Sequence, residues 1–168
     1  LYHIDACLSE PIAHLAEKEW ANNSAGYLAR IQALRSRWPC SARPPMLFKG
    51  ADFIENLYGA PGARRCVDID VLVDPRDVNL LRDHFSDCQR RPASAYERMS
   101  SEADYADGFI VNGTLIELHY SVGPPHAHCL DAATILSRAQ PARLDGFGVR
   151  FPHPEDRLLL WLQNQAKS

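Results

Sequence analysis

Asp68 and Asp70 stand two residues apart in the run Val67 to Val73, which is otherwise entirely Val, Ile and Leu. In a β-strand, residues i and i+2 project from one face, about 7 Å apart along the backbone. Two carboxylates so placed converge on a cation between them. Without one they repel, since two unit charges 4 Å apart cost about 4 kcal/mol at an effective dielectric near 20. An all-oxygen donor set favours Mg²⁺ or Mn²⁺ over Zn²⁺. Asp-x-Asp alone also describes a solvated strand face. Two features go further: the opposite face of this strand is unbroken Val/Ile, and a second strand-like run, Leu115 to Tyr120, carries Glu117 between Ile116 and Leu118. Three acids on the non-core faces of two strands imply a shared cleft. The matching chemistry is phosphoryl-type transfer, in which two ions about 3.5–4 Å apart clamp the attacking and leaving oxygens. Asp68 and Asp70 are expected to hold metal. Glu117 is expected to bind the ion on the acceptor side or to take the acceptor's proton. On this reading Asp70→Asn relieves repulsion, so metal-free stability should hold or rise.

Phosphate needs positive partners, and the segment upstream offers them. Gly50 opens a predicted helix directly after the strand-like Met46 to Phe48, which turns backbone N–H groups and the helix dipole outward. Lys49 adds a charge, and the guanidinium of Arg64 matches phosphate oxygens. The plain alternatives are a tight turn at Gly50, a solvated Lys49, and a surface ion pair at Arg64 or Arg65. His119 shares the predicted face of Glu117, where it either touches phosphate or orients Glu117; a core-edge histidine bonded to backbone is the alternative. His126, His128 and Cys129 follow, at a spacing that fits no standard zinc site.

The elements that position these residues are read from periodicity. Within the first forty residues Tyr27, Leu28, Ile31, Leu34 and Trp38 recur at helical spacing, until Pro39 and Pro44-Pro45 break the pattern. This predicts an N-terminal helical layer over 1–45, ahead of an α/β unit over 46–168, the two forming one compact body. Phe53, Ile54, Leu57 and Tyr58 predict a short amphipathic helix ended by Gly59 and Pro61; Tyr58 is expected to pack rather than stack on a base. Val67, Ile69, Val71 and Val73 form the core face of the acidic strand. Asp74 is expected to cap a helix that buries Val78, Leu81 and Phe85. Asn112-Gly113 predicts a hairpin between Phe109–Val111 and Leu115–Tyr120, with Ile116, Leu118 and Tyr120 on one face, and Asp145-Gly146 predicts a second hairpin. Asp131 caps a short helix. Pro154 starts a last one, with Leu158, Leu159 and Leu162 as its apolar residues. Trp20, Trp38 and Trp161 read as core or interface residues. The polar stretch 90–104 takes no assignment.

Composition narrows the setting. With 168 residues, 46% of them apolar, the chain suits one domain with a core that requires no staples. Its five cysteines are odd in number and include no C-x-x-C pair, so reduced thiols and a cytoplasmic location are expected. A net charge of −3 argues against a general nucleic-acid binder. No apolar run approaches the roughly 20 residues of a membrane helix, and Leu1 to Leu8 lack the pattern of a signal peptide.

In order along the chain come Phe48-Lys49-Gly50, Leu57-Tyr58-Gly59, Pro61-Gly62-x-Arg64, Asp68-Ile69-Asp70-Val71-Leu72-Val73, Ile116-Glu117-Leu118-His119 and Pro152-x-Pro154-Glu155-Asp156. That succession resembles the uncharacterised nucleotidyltransferase family of the polymerase-β-like superfamily, from about residue 25 onward. The resemblance implies an α/β (α+β) fold with a mixed, mostly antiparallel sheet flanked by helices. It implies an NTP, ATP by default, bound with Mg²⁺ or Mn²⁺, and transfer of a nucleoside monophosphate to a hydroxyl-type acceptor with release of pyrophosphate. By motif match Asp68, Asp70 and Glu117 take the metal-ligand and catalytic positions, with Lys49, Gly50 and Arg64 near the triphosphate. The wider superfamily has Gly-Ser or Gly-Gly where this chain has Gly50-Ala51, which removes one hydroxyl contact to phosphate. Relatives often continue into further helices beyond the point where this chain stops, so an acceptor site completed by a partner protein or an oligomer is also expected. The rival readings are a non-catalytic nucleotide- or partner-binding module, a metal-dependent phosphohydrolase using the same acids, and a zinc-binding structural domain.

Overall fold

The structure is a computed structural model, and it describes residues 10–92, 105–123 and 130–165. The N-terminal octapeptide, most of the unassigned polar stretch and the His126, His128, Cys129 group lie outside these residues. The chain forms a long helix α1 (Glu10–Arg37), then strand β1 (Met46–Phe48) and a short helix α2 (Gly50–Phe53). After β2 (Asp68–Leu72) come helix α3 (Val78–His84) and strands β3 (Gln89–Arg90), β4 (Ala106–Val111) and β5 (Thr114–His119). Helix α4 (Ala132–Arg138), the pair β6 (Gln140–Leu144) and β7 (Phe147–Phe151), and helix α5 (Pro154–Gln165) complete it. The seven strands make one sheet in the order β3-β4-β5-β2-β1-β7-β6. The β2–β5 and β1–β7 pairs are parallel and the others antiparallel, so the sheet is mixed and mostly antiparallel, as expected.

Both faces of the central strand are covered. Ile69 and Val71 of β2, Ile116 and Leu118 of β5, and Leu47 of β1 meet Tyr27, Ile31 and Leu34 of α1. On the opposite face Met46, Phe48 and Leu72 join Val122, Ile135, Leu136 and Leu160 in a second, smaller cluster. That cluster fills only one end of the face. The other end carries Asp68, Asp70 and Glu117. Helix α5 is fastened to α2 through Arg157, whose Nε donates to Asp52 Oδ2 at 2.7 Å across an almost fully buried carboxylate.

The turn chemistry follows the sequence closely. Asn112 and Gly113 sit at φ 49° and 74°, and Asp145 and Gly146 at 47° and 75°, the paired left-handed positions of tight hairpins. Asp131 accepts from the backbone N–H groups of Ala133 and Thr134. Asp74 accepts from that of Arg76, capping the 3₁₀ turn Pro75–Asp77 ahead of α3. Among the described residues Cys40, Cys66 and Cys88 are free thiols, and no helix is long and apolar enough to cross a membrane.

Four expectations are corrected. Strand β2 begins at Asp68, and Val67 is 58% exposed, because its carbonyl is taken by Arg30 Nε of α1 rather than by the sheet. The segment after α2 widens into a π turn, Ile54–Tyr58, which rotates Leu57 and Tyr58 into solvent and leaves Ile54 as its buried residue. Leu28 is about half exposed, since Tyr27, Ile31 and Leu34 already define the buried stripe of α1. In α5 the buried stripe is Asp156 and Leu160, four residues apart, so Leu158, Leu159, Trp161 and Leu162 point outward.

Trp20 is half exposed too, yet its ring lies flat against the turn Pro61–Ala63. A Cβ at Gly62 would stand 2.5 Å from the ring, and Asn23 Nδ2 donates to the Gly62 carbonyl at 3.3 Å. Gly62→Ala is therefore expected to lift Trp20 off the turn, at a cost of about 1–3 kcal/mol as for other overpacked sites. Thermal unfolding and tryptophan emission check this; an unshifted melting temperature with unchanged emission would show that α1 does not dock here.

Candidate active site

Strand register brings the acids together. In the parallel β2–β5 pair, Asp70 lies beside Glu117 and Leu72 beside His119; in the antiparallel β1–β2 pair, Phe48 lies beside Asp70. Partners in register share a face, so Phe48, Asp70, Glu117 and His119 look the same way. His119 stands where the apolar and acidic halves of that face meet. Its ring is buried, edge-on to Phe48 with centroids 5.0 Å apart. Its Nε2 lies 2.8 Å from Asp70 Oδ1 and 3.5 Å from Glu117 Oε2. His119 thus bonds side-chain carboxylates rather than backbone, and its buried Nδ1 has no partner among the described residues.

Lys49 follows β1 directly. Its backbone takes the left-handed value φ 52°, while Gly50 needs no such freedom and would tolerate a Cβ, which would meet Cys66 Sγ at an ordinary 3.8 Å. The Lys49 ammonium sits 2.5 Å from Asp70 Oδ1 and 3.4 Å from His119 Nε2. Lys49 is therefore not a fully solvated loop residue; it is the partly exposed counter-ion of Asp70. Arg64 is not brought to the acids. Its guanidinium lies over the Phe53 ring, 5.5 Å from the centroid.

A residue the sequence reading missed also enters the cluster. Arg91 Nε lies 3.5 Å from Glu117 Oε1. To reach it, the Arg91 side chain crosses Gly108, the β4 residue opposite Glu117, where a Cβ would come within 3.0 Å of Arg91. A glycine inside a strand signals such an approach, but Arg91 fell in the unassigned polar stretch and Gly108 just before the expected start of its strand.

Asp70, Glu117 and His119 each offer one ligand atom, and those atoms all lie within 4.8 Å of one another. Two oxygens and one imidazole nitrogen, convergent and largely buried, suit a divalent transition ion or Mg²⁺. Asp68 is half-buried on the same face, just ahead of this trio. The three carboxyls differ sharply. Burial raises that of Asp68, and the charges of Asp70 and Glu117 raise it further. Burial pushes Asp70 the same way, yet the His119 hydrogen bond and the Lys49 charge hold it below the usual range. The His119 hydrogen bond lowers Glu117 as well, against burial and the charge of Asp70.

Repulsion and burial therefore prevail at Asp68, whereas at Asp70 the attraction of His119 and Lys49 prevails, which reverses the stability expectation for Asp70→Asn. In metal-free protein that substitution leaves Lys49 and His119 without their buried partner, and a loss of about 3–5 kcal/mol is expected. Asp68→Asn should hold or raise stability. The pH signs are opposite as well. A depressed carboxyl contributes stability above the ordinary range near 4 and loses it as pH falls through the lowered value, as expected of Asp70 and Glu117. The raised Asp68 carboxyl favours the fold below that range and disfavours it once ionised. Chelator-treated protein unfolded thermally across pH checks both; equal melting temperatures for the two variants would contradict the assignment of partners.

No curated protein matches the chain at a significant level. A crystal structure from Thermotoga maritima, named as a candidate nucleotidyltransferase, superposes with a TM-score of 0.51 at 13% identity, covering 98% of this chain and 91% of that one. At that identity the likeness shows the fold. A family model described as uncharacterised nucleotidyltransferase matches residues 6–167, nearly the whole length, and the chain accordingly belongs to that family.

Proposed function

We propose that the chain transfers a nucleoside monophosphate from an NTP, ATP by default, to a hydroxyl-type acceptor and releases pyrophosphate, with Mg²⁺ or Mn²⁺ bound by Asp68, Asp70 and Glu117. The observation that carries this reading is the side-by-side register of Asp70 and Glu117 on parallel strands, with Asp68 two residues earlier on the same face. The donor set suits a divalent ion, since carboxylate oxygens of Asp70 and Glu117 converge to within 4.8 Å of each other and of His119. A bound ion supplies charge neutralisation at the attacking and leaving oxygens. Glu117 shares the acceptor side of the site, either as ligand or as the base that takes the acceptor proton. Lys49 and Arg91 supply two positive charges at the cleft, and the start of α2 at Gly50 lies next to Lys49. His119 orients Asp70 and Glu117 through one nitrogen. Arg64 keeps a nucleotide role only by leaving Phe53. The acceptor is a small molecule, a peptide or a protein, and the free thiols of Cys40, Cys66 and Cys88 among the described residues suit a reducing cytoplasmic setting.

Calorimetric titration of a non-hydrolysable ATP analogue, with and without Mg²⁺, tests the reading in the native protein and Asp70→Asn. Binding is expected with Mg²⁺ present, at least tenfold weaker without it, and lost in the variant. Pyrophosphate release on adding a mixture of hydroxyl acceptors would identify the transfer. Binding indifferent to both Mg²⁺ and Asp70 would remove the acidic cleft from the reaction.

A further inference from the structure

Asp70 Oδ1 is claimed twice. His119 Nε2 approaches it at 2.8 Å and Lys49 Nζ at 2.5 Å, with the two nitrogens 3.4 Å apart. The ammonium thus stands among the very atoms that would ligate an ion. It is held there from both ends. The Lys49 carbonyl accepts from Phe53 N–H at 3.0 Å, locking the residue at the head of α2, and its backbone keeps φ 52° and ψ −118°, a conformation that L-residues avoid unless their surroundings enforce it. The side chain also has a way out. It is 23% exposed, runs 5.1 Å from the Phe48 ring centroid, and ends in a flexible, strongly hydrated point charge.

A divalent ion held by Asp70 Oδ1 would stand close enough to this ammonium to repel it strongly. Building on the metal reading above, we propose that Lys49 is the resident cation of the ion-free site and that a divalent ion enters by exchange for it. The ammonium then leaves Asp70 for the cleft mouth, where the phosphates of an incoming nucleotide receive it. Exchange makes ion affinity conditional. In the absence of nucleotide the ion competes with a tethered charge, and its apparent affinity is reduced by the fraction of molecules in which Lys49 is engaged. Nucleotide draws Lys49 away and strengthens ion binding, and by reciprocity the ion strengthens nucleotide binding.

Mn²⁺ binding to the full chain, followed by loss of the free-ion paramagnetic signal, tests this directly. Lys49→Met is expected to bind Mn²⁺ at least tenfold tighter than the native protein without nucleotide, and to lose the gain that a non-hydrolysable ATP analogue confers on the native protein. Lys49→Arg keeps the charge and offers a planar fork that grips Asp70 more firmly, so it should fold and bind Mn²⁺ more weakly than the native protein. Arg65→Met removes the same charge from an exposed position and should leave Mn²⁺ affinity unchanged. Unchanged or weaker binding in Lys49→Met, native-like binding in Lys49→Arg, or equal tightening in Arg65→Met would each overturn the exchange. If native Mn²⁺ binding still depends on Asp70 in those cases, the metal reading stands and the exchange alone falls. No Mn²⁺ binding in any variant overturns both.

Discussion

A carboxylate taken almost wholly out of water must find positive charge or give up its own, and Asp70 is such a carboxylate. Its position is not negotiable within this sheet. It lies on the central strand, with β1 on one side and β5 on the other, and its neighbours Ile69 and Val71 are committed to the core against α1. A shift of one residue in β2 would turn both acids into that core and expose both aliphatic residues. Burial of Ile69 and Val71 therefore forces Asp68 and Asp70 to the other face, and everything placed around them responds to that. Lys49 arrives from the end of β1, His119 from the end of β5, and Arg91 from beyond β3 across Gly108. Each positive or donating group comes from a different element, so the cluster records the assembled sheet rather than any local segment.

The face that carries the acids is divided along its length. Met46, Phe48 and Leu72 are sealed by α4 and α5, while the acidic end keeps an opening at which Lys49 and Arg91 are partly exposed. His119 lies on the dividing line. Its apolar ring edge completes the small core through Phe48, and its Nε2 serves the carboxylates. An imidazole in that place is more than a spacer, because it fixes the direction of the Asp70 oxygens from a side that water does not reach. The same sealing explains how three carboxyls of similar type come to behave differently. Asp70 and Glu117 share His119, and Asp68, one step further out, feels the Lys49 charge but bears the repulsion of both.

Much of this was legible in the chain. Alternation in Asp68 to Leu72 places the acids on one face because period-two patterning is a direct consequence of strand geometry. Asn112-Gly113, Asp145-Gly146, Asp74 and Asp131 were readable because their chemistry is local. What was not legible is what depends on pairing. Nothing in the sequence says that β2 and β5 run parallel in the register that sets Asp70 beside Glu117, and without that the partners of each carboxylate are open. Hence Lys49 read as a free phosphate ligand, and Arg91 was not read at all. The apolar residues of α5 misled for a related reason. Leu158, Leu159 and Leu162 are apolar, but the helix is anchored by Arg157 to Asp52 and buries Asp156 and Leu160 instead, so orientation was decided by a tertiary ion pair that periodicity does not contain.

The donor set also bears on which ion suits the proposed chemistry. Read from the sequence, the site is all oxygen, and oxygen donors point to Mg²⁺. In the structure the convergent trio contains an imidazole, while Asp68 stands just outside it. Nitrogen admits Mn²⁺ more readily than Mg²⁺, which keeps several waters and prefers carboxylate and phosphate oxygens. For His119 to act as a ligand, its Nε2 must give up the proton it shares with Asp70, and the proton then belongs on the buried Nδ1, which has no described acceptor. Retaining the Asp70 hydrogen bond instead leaves His119 as an orienting group and returns the ion to Asp68, Asp70 and Glu117. Nδ1 lacks a described partner in either arrangement, and the second keeps the 2.8 Å contact of Nε2 with Asp70. In the proposed function the oxygens, and not the imidazole, would then ligate the ion, and His119 would hold two of them in place.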